Sequence, residues 1–65
     1  MTQYWNVGPF TYHVELDLEK NKAKISKHDG NGKQDGREYS FSMEHYNKCQ
    51  GRYDVEELYK SKSKK

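Results

Sequence analysis

The stretch that decides the fold is YHVELDLEKNKAKISKH, residues 12–28. Its first half, residues 12–18, carries an apolar residue at every second position: Tyr12, Val14, Leu16 and Leu18. Its second half, residues 22–28, alternates more weakly and places Ala23 and Ile25 on one face. A period of two is typical of a β-strand with one buried face. The stretch therefore predicts two strands joined by the polar segment EKNK.

Charge pairing suggests a register for this hairpin. If Leu18 faces Ala23, then Leu16 faces Ile25 and Asp17 faces Lys24. Opposite charges that face each other across two strands contribute about 0.2–1 kcal/mol per pair. A slip by one residue would instead place carboxylates against apolar side chains. We therefore expect Leu16 and Ile25 to be buried neighbours.

Two further strands are predicted on either side of this hairpin. Residues 37–43, REYSFSM, alternate and direct Tyr39, Phe41 and Met43 inward. The apolar residues at 3–7 precede Gly8-Pro9, a pair that marks a turn. We expect residues 3–7 to form a short strand that folds back beside the first strand of the hairpin.

The C-terminal third changes to a helical period. Asp54 and Glu57 have the spacing of a capping box, which predicts a helix from about Val55 to Lys60. Residues 44–51 could add two helical turns closed by Gly51. The whole pattern predicts one α+β domain over residues 1–60. In it, a small antiparallel sheet of three to four strands packs against a C-terminal helix, and residues 61–65 form a basic, disordered tail.

The sequence argues against catalysis. No nucleophile has a base at a recognisable spacing, and Cys49 with His45 one turn earlier is the nearest such pair. The single cysteine cannot form an internal disulfide, and no stretch has the pattern of a signal peptide. We therefore expect a non-enzymatic protein of the cytoplasm.

Metal and cofactor binding receive little support. The soft ligands are His13, His28, His45 and Cys49. Their spacing matches no zinc signature, and whether they converge is left open. The glycine-rich stretch over residues 29–36 begins like a calcium loop. It has Gln34 where such a loop needs glycine and Ser40 where it needs glutamate. We expect a connecting loop there, with no metal and no cofactor.

The six tyrosines favour an interaction surface, because tyrosine is enriched at protein interfaces. We expect a protein-binding module that modulates or inhibits a larger intracellular partner, in the manner of an accessory protein of a virus or mobile element. The residues predicted to contact the partner are Trp5, Tyr39, Tyr46, Lys33 and Arg37.

The alternative is a small nucleic-acid-binding protein that uses its lysines and exposed aromatic side chains. The formal net charge is only +2, from 12 basic and 10 acidic residues. In the expected hairpin, moreover, the lysines face carboxylates, whereas a surface that binds phosphates is usually free of acids.

Overall fold

The computed structural model describes residues 1–63, which form a four-stranded antiparallel sheet and two helices. The strands follow chain order across the sheet and are β1 (Thr2–Val7), β2 (Phe10–Asp17), β3 (Lys22–His28) and β4 (Tyr39–Ser42). The helices are α1 (Met43–Asn47) and α2 (Arg52–Ser63). This arrangement confirms the predicted α+β class, with a small antiparallel sheet packed against a C-terminal helix.

A two-residue turn joins β1 to β2. Val7 faces Phe10 across Gly8-Pro9, and Gly8 has a φ of 60°. A glycine at the first central position is the mark of a type II′ turn, whose twist matches that of the flanking strands. The sequence therefore places β1 beside β2 through a turn that only glycine enters without strain.

The register of the β2–β3 hairpin differs by two residues from the expected one. Val14 faces Ile25, and Leu16 faces Ala23 and is only half-buried, so the predicted contact between Leu16 and Ile25 is wrong. A shift by two leaves every side chain on its original face, because the side-chain period of a strand is two. Opposite charges still face each other, now as Glu15 with Lys24.

The turn at residues 18–21 decides this register. It begins one residue earlier than the expected connection EKNK (19–22), and Asn21 adopts a left-handed conformation with a φ of 57°. The carboxylate of Asp17 accepts a hydrogen bond from the backbone N–H of Lys20 at 3.1 Å. Leu18 lies inside the turn and is 70 % exposed. An aspartate that bonds to backbone amides within its own turn is a common stabilising device.

The core lies between one face of the sheet and the two helices. The buried core residues from the sheet are Val7, Tyr12, Val14, Ala23, Ile25 and Phe41, and those from the helices are Tyr46, Val55 and Tyr59. Full burial of an aliphatic or aromatic side chain contributes about 1.5–3 kcal/mol. These few residues therefore hold both helices against the same face.

Helix α1 begins one residue after Ser42, whose hydroxyl accepts a hydrogen bond from the His45 N–H at 3.3 Å. This N-cap ends β4 at Ser42, so Met43 opens the helix and does not extend the strand as predicted. Cys49 follows the helix and packs at the edge of the core.

Helix α2 begins and ends beyond its predicted limits. The carbonyl of Gly51 accepts hydrogen bonds from the amides of Asp54 and Val55, so Gly51 opens α2 and does not close α1. Asp54 is in the first turn and is not the N-cap; its carboxylate accepts from the Gln50 N–H at 2.8 Å. The helix continues to Ser63, which corrects the prediction of a disordered tail at 61–63. The predicted tail residues Lys64 and Lys65 lie outside the described residues.

Candidate functional site

One face of the sheet lies opposite the helices, and we call it the open face. No helix within residues 1–63 packs on it. Next to the Gly8-Pro9 turn, two rows of the ladder bring six uncharged side chains together on this face. They are Tyr4, His13 and Ser26 in one row and Asn6, Thr11 and His28 in the other. These six residues are called the open-face patch below.

The rings of the patch contact each other in a fixed arrangement. The imidazoles of His13 and His28 are stacked, with centroids 3.7 Å apart and planes 20° apart. The ring of Tyr4 meets His13 edge to face at 4.7 Å and 86°. Tyr4 is 63 % exposed although it lies in a strand. The result is a row of three rings across three adjacent strands, with the tyrosine ring at the outer end.

Hydrogen bonds hold the imidazole of His28 in place. Its Nε2 atom lies 3.0 Å from the hydroxyl of Ser26, which is buried beneath the stack. Its Nδ1 atom lies 3.4 Å from the carbonyl oxygen of Gly32 in the following loop. With both ring nitrogens in contact with the protein, His28 is oriented before any partner arrives, which lowers the entropy cost of binding.

The patch carries no carboxylate and no ammonium group. Burial lowers the pKa of His13, and the neighbouring His28 lowers it further. The charges of the open face lie at the other end of the sheet and alternate in sign there. Glu15 faces Lys24, and Asp17 faces Lys22. The electrostatic character of the patch is therefore neutral.

Three lysine side chains outside the open face make contacts with other residues of the chain. The ammonium group of Lys27 lies 3.8 Å from the Asp35 carboxylate and 4.0 Å from the centroid of the Phe10 ring. Lys60 lies 3.7 Å from Glu56 one turn earlier on α2. Lys62 donates a hydrogen bond to the carbonyl oxygen of Ser40 at 2.6 Å. Two of these three lysines are therefore paired with a carboxylate of the same chain.

Two of the aromatic residues predicted to bind a partner meet inside the molecule instead. The indole N–H of Trp5 donates to the hydroxyl of Tyr46 at 3.1 Å, and that hydroxyl donates to the amide oxygen of Gln3. Tyr46 is a core residue, which corrects the expectation that it contacts a partner. Its ring is buried because α1 packs against the sheet. Trp5 is half-buried on the same side.

The other three predicted contact residues lie elsewhere. Tyr39 is half-buried, with its ring 5.2 Å from that of Tyr59. Lys33 and Arg37 are exposed on the loop between β3 and β4. The backbone carbonyl of Arg37 accepts a hydrogen bond from the Tyr59 hydroxyl at 2.6 Å. The structure therefore does not bring the five predicted residues together on one surface.

The glycine-rich loop is closed by its own hydrogen bonds. The carboxylate of Asp29 accepts from the amides of Asn31 at 2.9 Å and Lys33 at 3.0 Å. The Asp29 N–H donates to the Lys33 carbonyl at 2.9 Å, and the Asp35 N–H donates to the Lys27 carbonyl at 2.7 Å. The loop is a structured connector, and its first carboxylate is engaged by the backbone.

The soft ligands separate into two locations. His13 and His28 belong to the open-face patch, whereas Cys49 packs against the core on the helix side and His45 is exposed on α1. Within the described part of the chain, no group of three or more His, Cys, Asp or Glu is placed to hold a metal ion. Burial raises the pKa of the Cys49 thiol, and the charge of Asp54 raises it further, which is the opposite of what activates a nucleophilic cysteine.

Part of the patch could be found from the sequence. His13 and His28 share the outward face of the hairpin in the predicted register as well as in the observed one. Tyr4 joins them only when β1 is aligned with β2, and the two-residue turn at Gly8-Pro9 sets that alignment. The sequence analysis identified this turn and the strand before it; the signal it missed was the two-residue length of the turn, which pairs Tyr4 with His13.

In the described residues, the helices are too short and too polar for a membrane span. Comparisons of the chain with protein-family models, with curated proteins and with solved structures find no match.

Proposed function

We propose that this chain is a non-enzymatic protein-binding module and that it contacts its partner through the open-face patch. The observation that carries the proposal is the set of three contacting rings, those of Tyr4, His13 and His28, on a sheet face that neither helix covers. Tyrosine supplies a large contact area at a low entropy cost, because its side chain has only two rotatable bonds. The partner is a larger protein that presents uncharged hydrogen-bonding groups around an apolar contact for the Tyr4 ring.

The distribution of charge supports a protein partner over a nucleic acid. Non-specific nucleic-acid binding depends on lysines and arginines that are free to neutralise phosphates. Here acids are interspersed with the lysines of the open face, since Lys22 lies across the ladder from Asp17 and Lys24 from Glu15, and Lys27 outside that face is paired with Asp35. The imidazole rings of the patch stack on each other, so their inner faces are not available to bases.

The mode of action follows from the nature of the patch. A rigid surface with no activated nucleophile can modulate a larger protein by covering part of its surface. We place this activity in the cytoplasm, where a lone thiol such as Cys49 stays reduced.

The experiment compares two tyrosines of equal exposure on different elements. Tyr4 on β1 is 63 % exposed, and Tyr53 on α2 is 64 % exposed. A photo-crosslinking amino acid is placed at position 4 or at position 53, and each variant is irradiated in nuclease-treated lysate. We expect one protein, identified by mass spectrometry, to be crosslinked from position 4 and not from position 53.

Purified partner then serves for affinity measurements. Tyr4→Ser is expected to weaken binding by tenfold or more, in the range of an interface hot spot at about 2 kcal/mol, while Tyr53→Ser leaves it unchanged. Equal crosslinking from both positions would contradict the proposal. Loss of all captured material on nuclease treatment, with salt-dependent binding to a single-stranded oligonucleotide, would favour the nucleic-acid alternative.

A further inference from the structure

Strand β1 is an edge of the sheet that has no charged residue, no proline and no bulge. It pairs only with β2, and its six residues, TQYWNV, include no charged residue and no proline. Its pairing with β2 runs without a bulge from Thr2 to Val7. Edge strands of monomeric proteins are commonly protected by charges, prolines, bulges or a short length, because an open edge pairs with other strands.

The hydrogen-bonding pattern shows which backbone groups of β1 point outward. Val7 and Phe10 flank a two-residue turn and so exchange hydrogen bonds with each other. At the other end of the strand, the Leu16 N–H donates to the Met1 carbonyl at 2.8 Å. In an antiparallel ladder the bonded positions alternate with outward-facing ones. The N–H and C=O groups of Thr2, Tyr4 and Asn6 therefore face away from β2.

The opposite edge of the sheet is less open. Strand β4 has only four residues, and the Lys62 side chain donates to the Ser40 carbonyl at 2.6 Å. The chain leaves β4 directly into α1, which further shortens this edge. An assembly built through β1 therefore has no equivalent edge at which to continue growing, and it closes at two copies.

We infer that β1 pairs with β1 of a second copy of this chain, in antiparallel orientation about a two-fold axis at Tyr4. In this register Tyr4 faces Tyr4 of the second copy, Thr2 faces Asn6, and Gln3 faces Trp5. No like charges meet, because the strand has none. The pairing uses the outward N–H and C=O groups of Thr2, Tyr4 and Asn6 and joins the two sheets into one of eight strands.

Dimerisation would also extend the open-face patch. Because Tyr4 lies at the outer end of the row of rings, the second copy continues that row with its own Tyr4, His13 and His28. The dimer would then present two identical patches side by side. This inference is independent of the identity of any other partner.

A proline at Asn6 tests the inference, since it removes an outward N–H and leaves the bonds between β1 and β2 in place. The matched control is Asn6→Ala, which likewise loses the side-chain contact with Thr11 but keeps the backbone N–H. Sedimentation equilibrium over a concentration series should show a dimer for the wild type and for Asn6→Ala. Asn6→Pro should raise the dimer Kd by about tenfold or more, because each dimer loses two backbone hydrogen bonds.

Hydrogen exchange on the wild type gives a readout that does not depend on any variant folding. The amides of Tyr4 and Asn6 should become protected as protein concentration rises through the dimer Kd, whereas those of Trp5 and Val7 are protected throughout. A chain that stays monomeric at millimolar concentration, with rapidly exchanging Tyr4 and Asn6 amides, would overturn the inference, and so would open-ended assembly. In the crosslinking test of the partner-binding proposal, mass spectrometry distinguishes a second copy of this chain captured from position 4 from a larger partner, so the two proposals can fail separately.

Discussion

The phenol of Tyr12 should make the stability of this protein fall steeply in alkali. Tyr12 is 1 % exposed, and its ring lies 5.3 Å from that of Tyr59. Burial raises the pKa of Tyr12 from 10.0 to about 12, and the charges of Glu56, Tyr59 and Asp35 act in the same direction. The folded state therefore keeps this proton over a range of pH in which the unfolded chain has already lost it.

The sign and size of the effect follow from this difference. Below about pH 10 Tyr12 is protonated in both states, and the free energy of unfolding is independent of its titration. Between about pH 10 and 12 the unfolded state binds fewer protons, so stability falls by about 1.4 kcal/mol per pH unit. The loss from Tyr12 alone is about 1.4 kcal/mol at about pH 11 and approaches about 2.7 kcal/mol above about pH 12.

Urea unfolding of the wild type and of Tyr12→Phe, followed by circular dichroism at about pH 8 and about pH 11, measures this contribution. All other side chains are the same in the two proteins, so their effects cancel in the difference between the two. We expect Tyr12→Phe to gain about 1.4 kcal/mol relative to wild type between the two pH values. The control is Tyr53→Phe, because the exposed Tyr53 ring meets water in both states. A difference between wild type and Tyr12→Phe that does not change with pH would refute the reasoning.

Three further tests concern the core, the glycines of the loop and the N-cap of α1. Ile25→Ala should cost about 2–5 kcal/mol in urea unfolding because Ile25 is fully buried, whereas Leu18→Ala, at a 70 % exposed turn position, should stay within about 0.5 kcal/mol; equal costs would contradict the assigned core. Gly36→Ala should lower the thermal midpoint more than Gly32→Ala, since both have positive φ but only at Gly36 would the new Cβ lie 3.0 Å from the Tyr59 hydroxyl; the reverse order would count against this close approach. Ser42→Ala should cost about 0.5–2 kcal/mol by removing the N-cap of α1, and an unchanged midpoint would argue against the cap.

The alternation of residues 12–28 was sufficient to predict which side chains face the core. Val14 and Ile25 are both fully buried, as a period of two requires. The same alternation could not set the register, because a slip of two residues changes no face and still opposes charges of opposite sign. The turn set it, through the bond from the Lys20 amide to Asp17 and the left-handed conformation of Asn21. These interactions are local, but in the sequence they are harder to recognise than the repeated alternation of the strands.

In the C-terminal third, too, the local pattern predicted the element but not its limits. The capping-box pattern around Asp54 correctly indicated a C-terminal helix but misplaced its start, because the Gly51 carbonyl accepts the first helical hydrogen bonds three residues earlier. The helix also continues past Lys60, and the Lys62 side chain reaches the Ser40 carbonyl. A run of lysines and serines gives no local sign of this contact with β4.

The sequence by itself determined the fold class, the two faces of the hairpin and the common side of His13 and His28. Only the tertiary structure decided which tyrosines are buried. Tyr46 is in the core because α1 packs against the sheet, while Tyr4 is exposed because neither helix reaches the other face. Strand patterns depend on a local period that the chain carries in its order of residues. The burial of an aromatic ring depends on which distant segment packs over it, and that is set by contacts between residues far apart in the sequence.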